Sequence, residues 1–119
     1  MKLPRVTITP KEIDSSVRIL HLLAESTGLI RDGWECGMAL AEIAAGSIEA
    51  FIVPRSGPKW WDVSAGIIMV EEAGGKVTDM LGNPIIHHDL SKGLIASNGL
   101  LHDKILDIVQ EGGNYGRWI

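Results

Sequence analysis

A chain of 119 residues, 45% apolar and 22% charged, reads as a single domain over 1–119, long enough to bury a core and too short for two. The net charge of −4, with scattered basic residues and no Lys/Arg cluster, excludes a nucleic-acid surface, and no apolar run reaches the length of a membrane span. One cysteine, Cys36, excludes an internal disulfide; with a start, Met1-Lys2-Leu3-Pro4-Arg5, that proline breaks where a signal core would run, it points to the cytoplasm.

Short β-branched runs alternate with longer helical ones. Arg5 to Ile8 reads as a strand. Thr9-Pro10-Lys11-Glu12 opens a helix with a capping residue, a proline at its first position and a closing glutamate, and Gly28 ends it. Ile13, Val17, Leu20 and Ala24 give its buried stripe. Leu29 to Arg31 is a second short strand. Trp34 to Ala45 is a helix ended by Gly46, and Glu49 to Val53 a strand that Pro54 to Pro58 cannot continue. Asp62 to Ala73 is a helix so apolar at Val63, Ile67, Ile68, Met69 and Val70 that burial on more than one side is expected. Lys76 to Met80 is a strand, Gly82-Asn83-Pro84 a turn and Leu94 to Ser97 a strand. Asn98-Gly99 leads into a last helix over 100–110. The expected fold is α/β: about five strands in a mostly parallel or mixed sheet covered by helices.

Residues 60–75 carry the chemistry. Asp62 follows two tryptophans and opens an apolar helix that Gly74-Gly75 stops. A carboxylate there is a hard oxygen ligand for a cation, and the free N–H groups of a first helical turn attract an anion. The plain alternative is that Asp62 only caps the helix, a role worth about 1 kcal/mol. Glu71 and Glu72 read as a solvated pair, Cys36 as a small core residue, and His87-His88-Asp89 as a surface loop, since no distant Cys or His completes a four-ligand pattern. Gly66 in mid-helix implies close packing against a strand.

Trp61, Asp62, Ala65, Gly66, Glu72, Ala73, Gly74 and Gly75 together match the pattern W-D-x-x-A-G-x-x-x-x-x-E-A-G-G, and on them the chain resembles the C-terminal signature of the inositol monophosphatase family. Gly82-Asn83-Pro84, Ile95-Ala96-Ser97-Asn98 and the Ala44–Phe51 segment extend the likeness, which runs from about Arg5 to Gln110. It implies the C-terminal domain of a Mg2+-dependent phosphomonoesterase, with Asp62 as a metal ligand and a phosphorylated small metabolite as substrate. The paired-acid D-P-I-D-G-T segment of the family's N-terminal half has no counterpart here. The resemblance therefore implies one ligand of a larger set, Mg2+ held only with a complementing N-terminal half, and little activity alone.

Two departures bear on substrate. Trp34-Glu35-Cys36 stands where family members place a small triplet, and Val53 where inositol-specific members carry a hydroxyl-binding glutamate. Pro54-Arg55-Ser56-Gly57-Pro58 is instead reminiscent of the 3′-phosphoadenosine 5′-phosphate phosphatases. In that reading Arg55 or Lys59 meets a second phosphate and Trp34 or Trp60 stacks on a base. The other reading is a non-catalytic binding or assembly module, as a homodimer or as the partner of a separate N-terminal half.

Overall fold

A computed structural model describes residues 18–19, 21–23, 36–53 and 58–113. Among them the elements run α1 (Cys36–Ala45), β1 (Ala50–Val53), α2 (Trp60–Glu72), β2 (Lys76–Thr78), β3 (Leu94–Ser97) and α3 (His102–Gly113). Residues 18–19 and 21–23 are also helical. The expected strands at Arg5–Ile8 and Leu29–Arg31, and the boundaries of the first helix, lie outside the described residues.

The three described strands form a sheet in the order β1-β3-β2. Both pairings are antiparallel, Ala50 opposite Ser97 and Val53 opposite Leu94 on one side, Lys76 opposite Ser97 and Thr78 opposite Ile95 on the other. Against the mostly parallel or mixed sheet expected from strand–helix alternation, neither described pairing is parallel. The crossover through α2 does leave β1 and β2 running the same way, but β3 lies between them. It returns from β2 through residues 79–93, which contain no helix, and a strand that returns without a crossover runs antiparallel to its neighbour.

β3 is buried at all four positions because helices cover both faces of the sheet. Leu94 and Ala96 point into one core with Leu40, Ile43, Val63, Ile67 and Val70, and Phe51, Val53 and Val77 pack against it. Ile95 points into the other with Ile19, Met80, Ile105 and Val109, joined by Ala50 and Ile52. The period of two along each strand thus divides the residues between α1 and α2 on one face and α3 on the other.

The ends of the elements follow from local chemistry. β2 stops at Thr78, two residues short of the expected end, because the Asp79 carboxylate accepts hydrogen bonds from Leu81 and Asn83 N–H at 2.8 and 2.9 Å and turns the chain. The turn expected at 82–84 closes there, with Asp79 N–H donating to the Asn83 carbonyl at 2.9 Å. α2 ends in a Schellman motif: Gly75 N–H donates to Val70 O at 2.8 Å and Gly74 N–H to Glu71 O at 3.0 Å. Gly74 supplies the φ of +91° this requires. Gly75 answers a different need, since a Cβ there would collide with the Ser97 carbonyl of β3.

Two further expectations change. The close contact at Gly66 is with a helix and not a strand: a Cβ would sit 2.5 Å from Leu40 Cδ1 of α1. α2 is also buried on one side only. Val63, Ile67 and Val70 are covered, whereas Ile68 and Met69 are 63% and 42% exposed.

Candidate functional site

α2 begins at Trp60, with Lys59 as N-cap, so Asp62 is the third residue of the helix and not its first. Its Oδ2 accepts a hydrogen bond from the Lys59 backbone N–H at 2.8 Å. This is the reach-back half of a capping box, and it fixes the carboxylate over an end whose unpaired N–H groups favour negative charge. Oδ1 has no hydrogen bond among the described residues, and the side chain is exposed. Asp62 is therefore a cap of α2, and because only Oδ2 is engaged, the capping role does not exclude the metal-ligand reading.

The surroundings of Asp62 are apolar below and incomplete above. Trp61 is 76% exposed, and Ala65, Ile68 and Met69 continue the same solvent-facing stripe at helical spacing. Among the described residues no three His, Cys, Asp or Glu side chains gather where they could hold a metal ion. The donor chemistry of Asp62 fits Mg2+ as one oxygen ligand, but a single carboxylate leaves most of an octahedral shell to other groups.

Of the four residues expected to meet substrate, Lys59 is exposed at the head of α2, beside Asp62. Trp34 and Arg55 lie outside the described residues. Trp60 is half-buried, and its indole stacks on the His88 imidazole with centroids 4.3 Å apart and planes within 6°. One face of that ring is thus already occupied. His87 and His88 both adopt left-handed backbone, with φ of 53° and 57°, and both are exposed, as a surface loop requires. Beside them the Asp89 carboxyl sits below its usual pKa because Ser91 hydrogen-bonds it. Glu71 and Glu72 are solvent-exposed, as expected. Cys36 is a half-buried thiol packed against the core.

A groove of about 550 Å³ opens alongside α2 and β2, lined by Trp60, Ile67, Glu71, Lys76, Val77 and Ile85 among others. Its apolar lining, Trp60 included, is joined by one exposed acid and one exposed base, and Asp62 does not line it.

A buried polar cluster escaped sequence reading. His102, 1% exposed at the start of α3, lies between Ser97 Oγ at 2.7 Å from Nδ1 and Thr78 Oγ1 at 2.8 Å from Nε2. Thr78 donates its hydroxyl hydrogen to the Asp79 carbonyl, so it accepts from Nε2–H. Ser97 accepts from Gly99 N–H and gives its own hydrogen to Nδ1. Every hydrogen bond closes only with a neutral ring protonated on Nε2. Burial, then the Lys76 ammonium, holds the His102 pKa below the ordinary 6.5, with Asp103 pulling the other way.

The comparisons with known proteins agree with the motif. The model of the inositol monophosphatase family matches residues 9–114. The fructose-1,6-bisphosphatase/inositol-1-monophosphatase of Thermotoga maritima is 35% identical over 103 residues, covering 87% of this chain and 39% of that protein. A putative mitochondrial 3′(2′),5′-bisphosphate nucleotidase of Arabidopsis thaliana is 45% identical over 60 residues, 43% of this chain and 15% of its own length. Among solved structures, the Thermotoga maritima IMPase superposes with a TM-score of 0.71 at 34% identity, over 83% of this chain and 37% of that one. The extragenic suppressor protein suhB of Bartonella henselae reaches 0.75 at 29% identity, over 92% and 40%. The chain thus spans about two fifths of the Thermotoga relative, and the match falls in the C-terminal part of the relatives. No helix among the described residues is long and apolar enough to cross a membrane. The chain belongs to the inositol monophosphatase family.

Proposed function

We propose that this chain is the C-terminal portion of a cytoplasmic, Mg2+-dependent phosphomonoesterase, supplying Asp62 as one metal ligand and part of the pocket for a phosphorylated small metabolite. The observation that carries this reading is the exposed Asp62, fixed through Oδ2 and with Oδ1 left over, in a region where the described residues offer no further ligand cluster. Mg2+ bound there would supply charge to a phosphate; Asp62 would orient the ion, and the first turn of α2 would add its N–H groups. Lys59 lies beside this position and, with Trp34 and Arg55, forms the proposed substrate contacts.

Alone, the chain turns over little phosphomonoester, because one carboxylate binds Mg2+ weakly. Completing the shell takes a segment that brings further acids to Asp62. The exposed stripe of Trp61, Ile68 and Met69 on α2 and Met38 on α1 favours a covering surface, whether the remainder of the family's length or a second copy. Single-domain folding over 1–119 and the larger sheet of about five strands, with Arg5–Ile8 and Leu29–Arg31 added, belong to the same proposal. The 45% identity to the bisphosphate nucleotidase favours a second reading in which the substrate carries two phosphates and Arg55 or Lys59 meets the second.

The test is a chimera in which this chain replaces the matched C-terminal segment of the Thermotoga maritima relative, assayed for phosphate release with Mg2+ beside the chain alone. The chain alone is expected at background, and the chimera active and silenced by Asp62→Asn. A folded but inactive chimera, or activity indifferent to Asp62→Asn, overturns the function. Turnover by the isolated chain that Asp62→Asn abolishes overturns the dependence on a complement.

A further inference from the structure

Neither the groove nor the exposed stripe says what would fill it, but the Thr78–His102–Ser97 cluster makes a commitment that can be tested. It joins three elements: β2 through Thr78, β3 through Ser97 and the first turn of α3 through His102. It also anchors the approach to α3. Gly99 N–H donates to Ser97 Oγ at 3.1 Å, and the next two N–H groups, of Leu100 and Leu101, are held by Asn98 Oδ1 at 3.0 and 3.3 Å. The junction of α3 with the sheet thus rests on a ring whose hydrogen bonds close in one protonation state.

We propose that His102 is an acid-operated latch, in which a proton taken from solvent at Nδ1 breaks the Ser97–His102 hydrogen bond and releases residues 98–101 and the first turn of α3 from the sheet. The chemistry is a change of an acceptor into a donor. Nδ1 accepts the Ser97 hydroxyl hydrogen; once Nδ1 carries a proton, two hydrogens face each other across 2.7 Å. Ser97 would have to turn its hydrogen away, because its Oγ already accepts from Gly99 N–H and could meet Nδ1–H only as an acceptor. Thr78 already spends its hydrogen on the Asp79 carbonyl and cannot compensate.

The cation would also be buried and would face like charge. Lys76 approaches from β2, its strand position opposite Ser97. Asp103, on α3 itself, is exposed and opposes that effect only in part. β3 brings Ser97 and no ionisable group to the ring. A histidine whose folded pKa lies below its ordinary 6.5 stabilises the folded state above that value, and the contribution is lost as pH falls through 6.5 towards the folded value. Acid, not base, opens the latch.

Amide hydrogen exchange on the full chain at about pH 7.5 and about pH 5, corrected for intrinsic rates, reads this directly. The amides of α3 are expected to lose protection by up to about tenfold per pH unit, more than those of α2, and His102→Gln to remove the pH dependence. A His87→Gln/His88→Gln variant is expected to keep it. Equal losses in α2 and α3, no loss, or an undiminished loss in His102→Gln overturns the latch. Should His102→Gln not fold, nitrogen-15 NMR of wild-type imidazoles decides. The expectation is Nε2 protonated and Nδ1 bare at neutral pH, titrating together with α3 protection. Nδ1 protonated at neutral pH, or titration without change in α3, overturns it.

Discussion

The two ends of α2 are built on different plans. At the C-terminal end every feature has a structural cause: the Schellman bonds to Val70 and Glu71, the left-handed Gly74, the Gly75 backbone against the Ser97 carbonyl, and beyond it the His102 cluster. At the N-terminal end one hydrogen bond, from Lys59 N–H to Asp62, holds a carboxylate among exposed apolar neighbours. A helix end closed by backbone hydrogen bonds and tight packing serves the fold. One that leaves a carboxylate oxygen and a tryptophan in solvent has spent little on stability and keeps its groups for something else. If that contrast holds, substitutions should cost stability steeply in the middle and at the C-terminal end of α2, and little at Asp62.

The largest effect is expected where α2 crosses α1. Leu40 is fully buried, and Gly66 exists to admit it. Leu40→Ala should cost about 3 kcal/mol by leaving a cavity, and Gly66→Ala about 2 kcal/mol by overpacking, since the clash involves Leu40 Cβ at 2.6 Å as well as its flexible end. The double variant should cost less than the sum, because losing Cγ and Cδ1 relieves part of the clash even though alanine keeps its Cβ. Urea denaturation of the four proteins measures the coupling, and strict additivity would mean the helices do not meet here.

Next comes Gly75→Ala. The added Cβ would meet backbone, the Ser97 carbonyl, as well as Val70 Cγ1 at 2.7 Å, and backbone in a central strand cannot swing aside. A loss of about 2 kcal/mol is expected in the same assay. A neutral result would show that the C-terminal junction is looser than its hydrogen bonds imply, and would erase the contrast between the ends.

What the sequence disclosed follows the same division. The motif over 61–75 exposed both the metal-ligand candidate and the glycine stop, because cap, apolar helix and Gly-Gly are local signals. Local signals outside the motif placed α1, β1, β3 and α3 within two residues at most boundaries for the same reason. Strand direction was not legible: it depends on β3 returning through residues 79–93 without a helix and inserting between β1 and β2. Nor was the exposed side of α2, since Ile68 and Met69 look like core residues until α1 and the sheet have taken the opposite face. His102 gave no sign at all. Its partners stand 5 and 24 residues away, and only the register that sets Thr78 and Ser97 on the α3 side brings them together.

The smallest stability effect, and the most discriminating, is expected at Asp62. Asp62→Ala removes the acceptor for Lys59 N–H and the negative charge from the first turn, and should cost about 1 kcal/mol. Asp62→Asn keeps an oxygen in the same place for Lys59 N–H and should cost only a few tenths of that, yet it discards the ionic oxygen a hard cation needs. Thermal unfolding of both variants separates the two roles. If Asn restores nearly all the stability lost in Ala while the chimera's phosphatase activity stays silent, the carboxylate is at this helix end for its charge towards a ligand, and capping is what aims it. If Asn is as unstable as Ala, the charge itself holds the helix, and the open end of α2 would be as structural as the closed one.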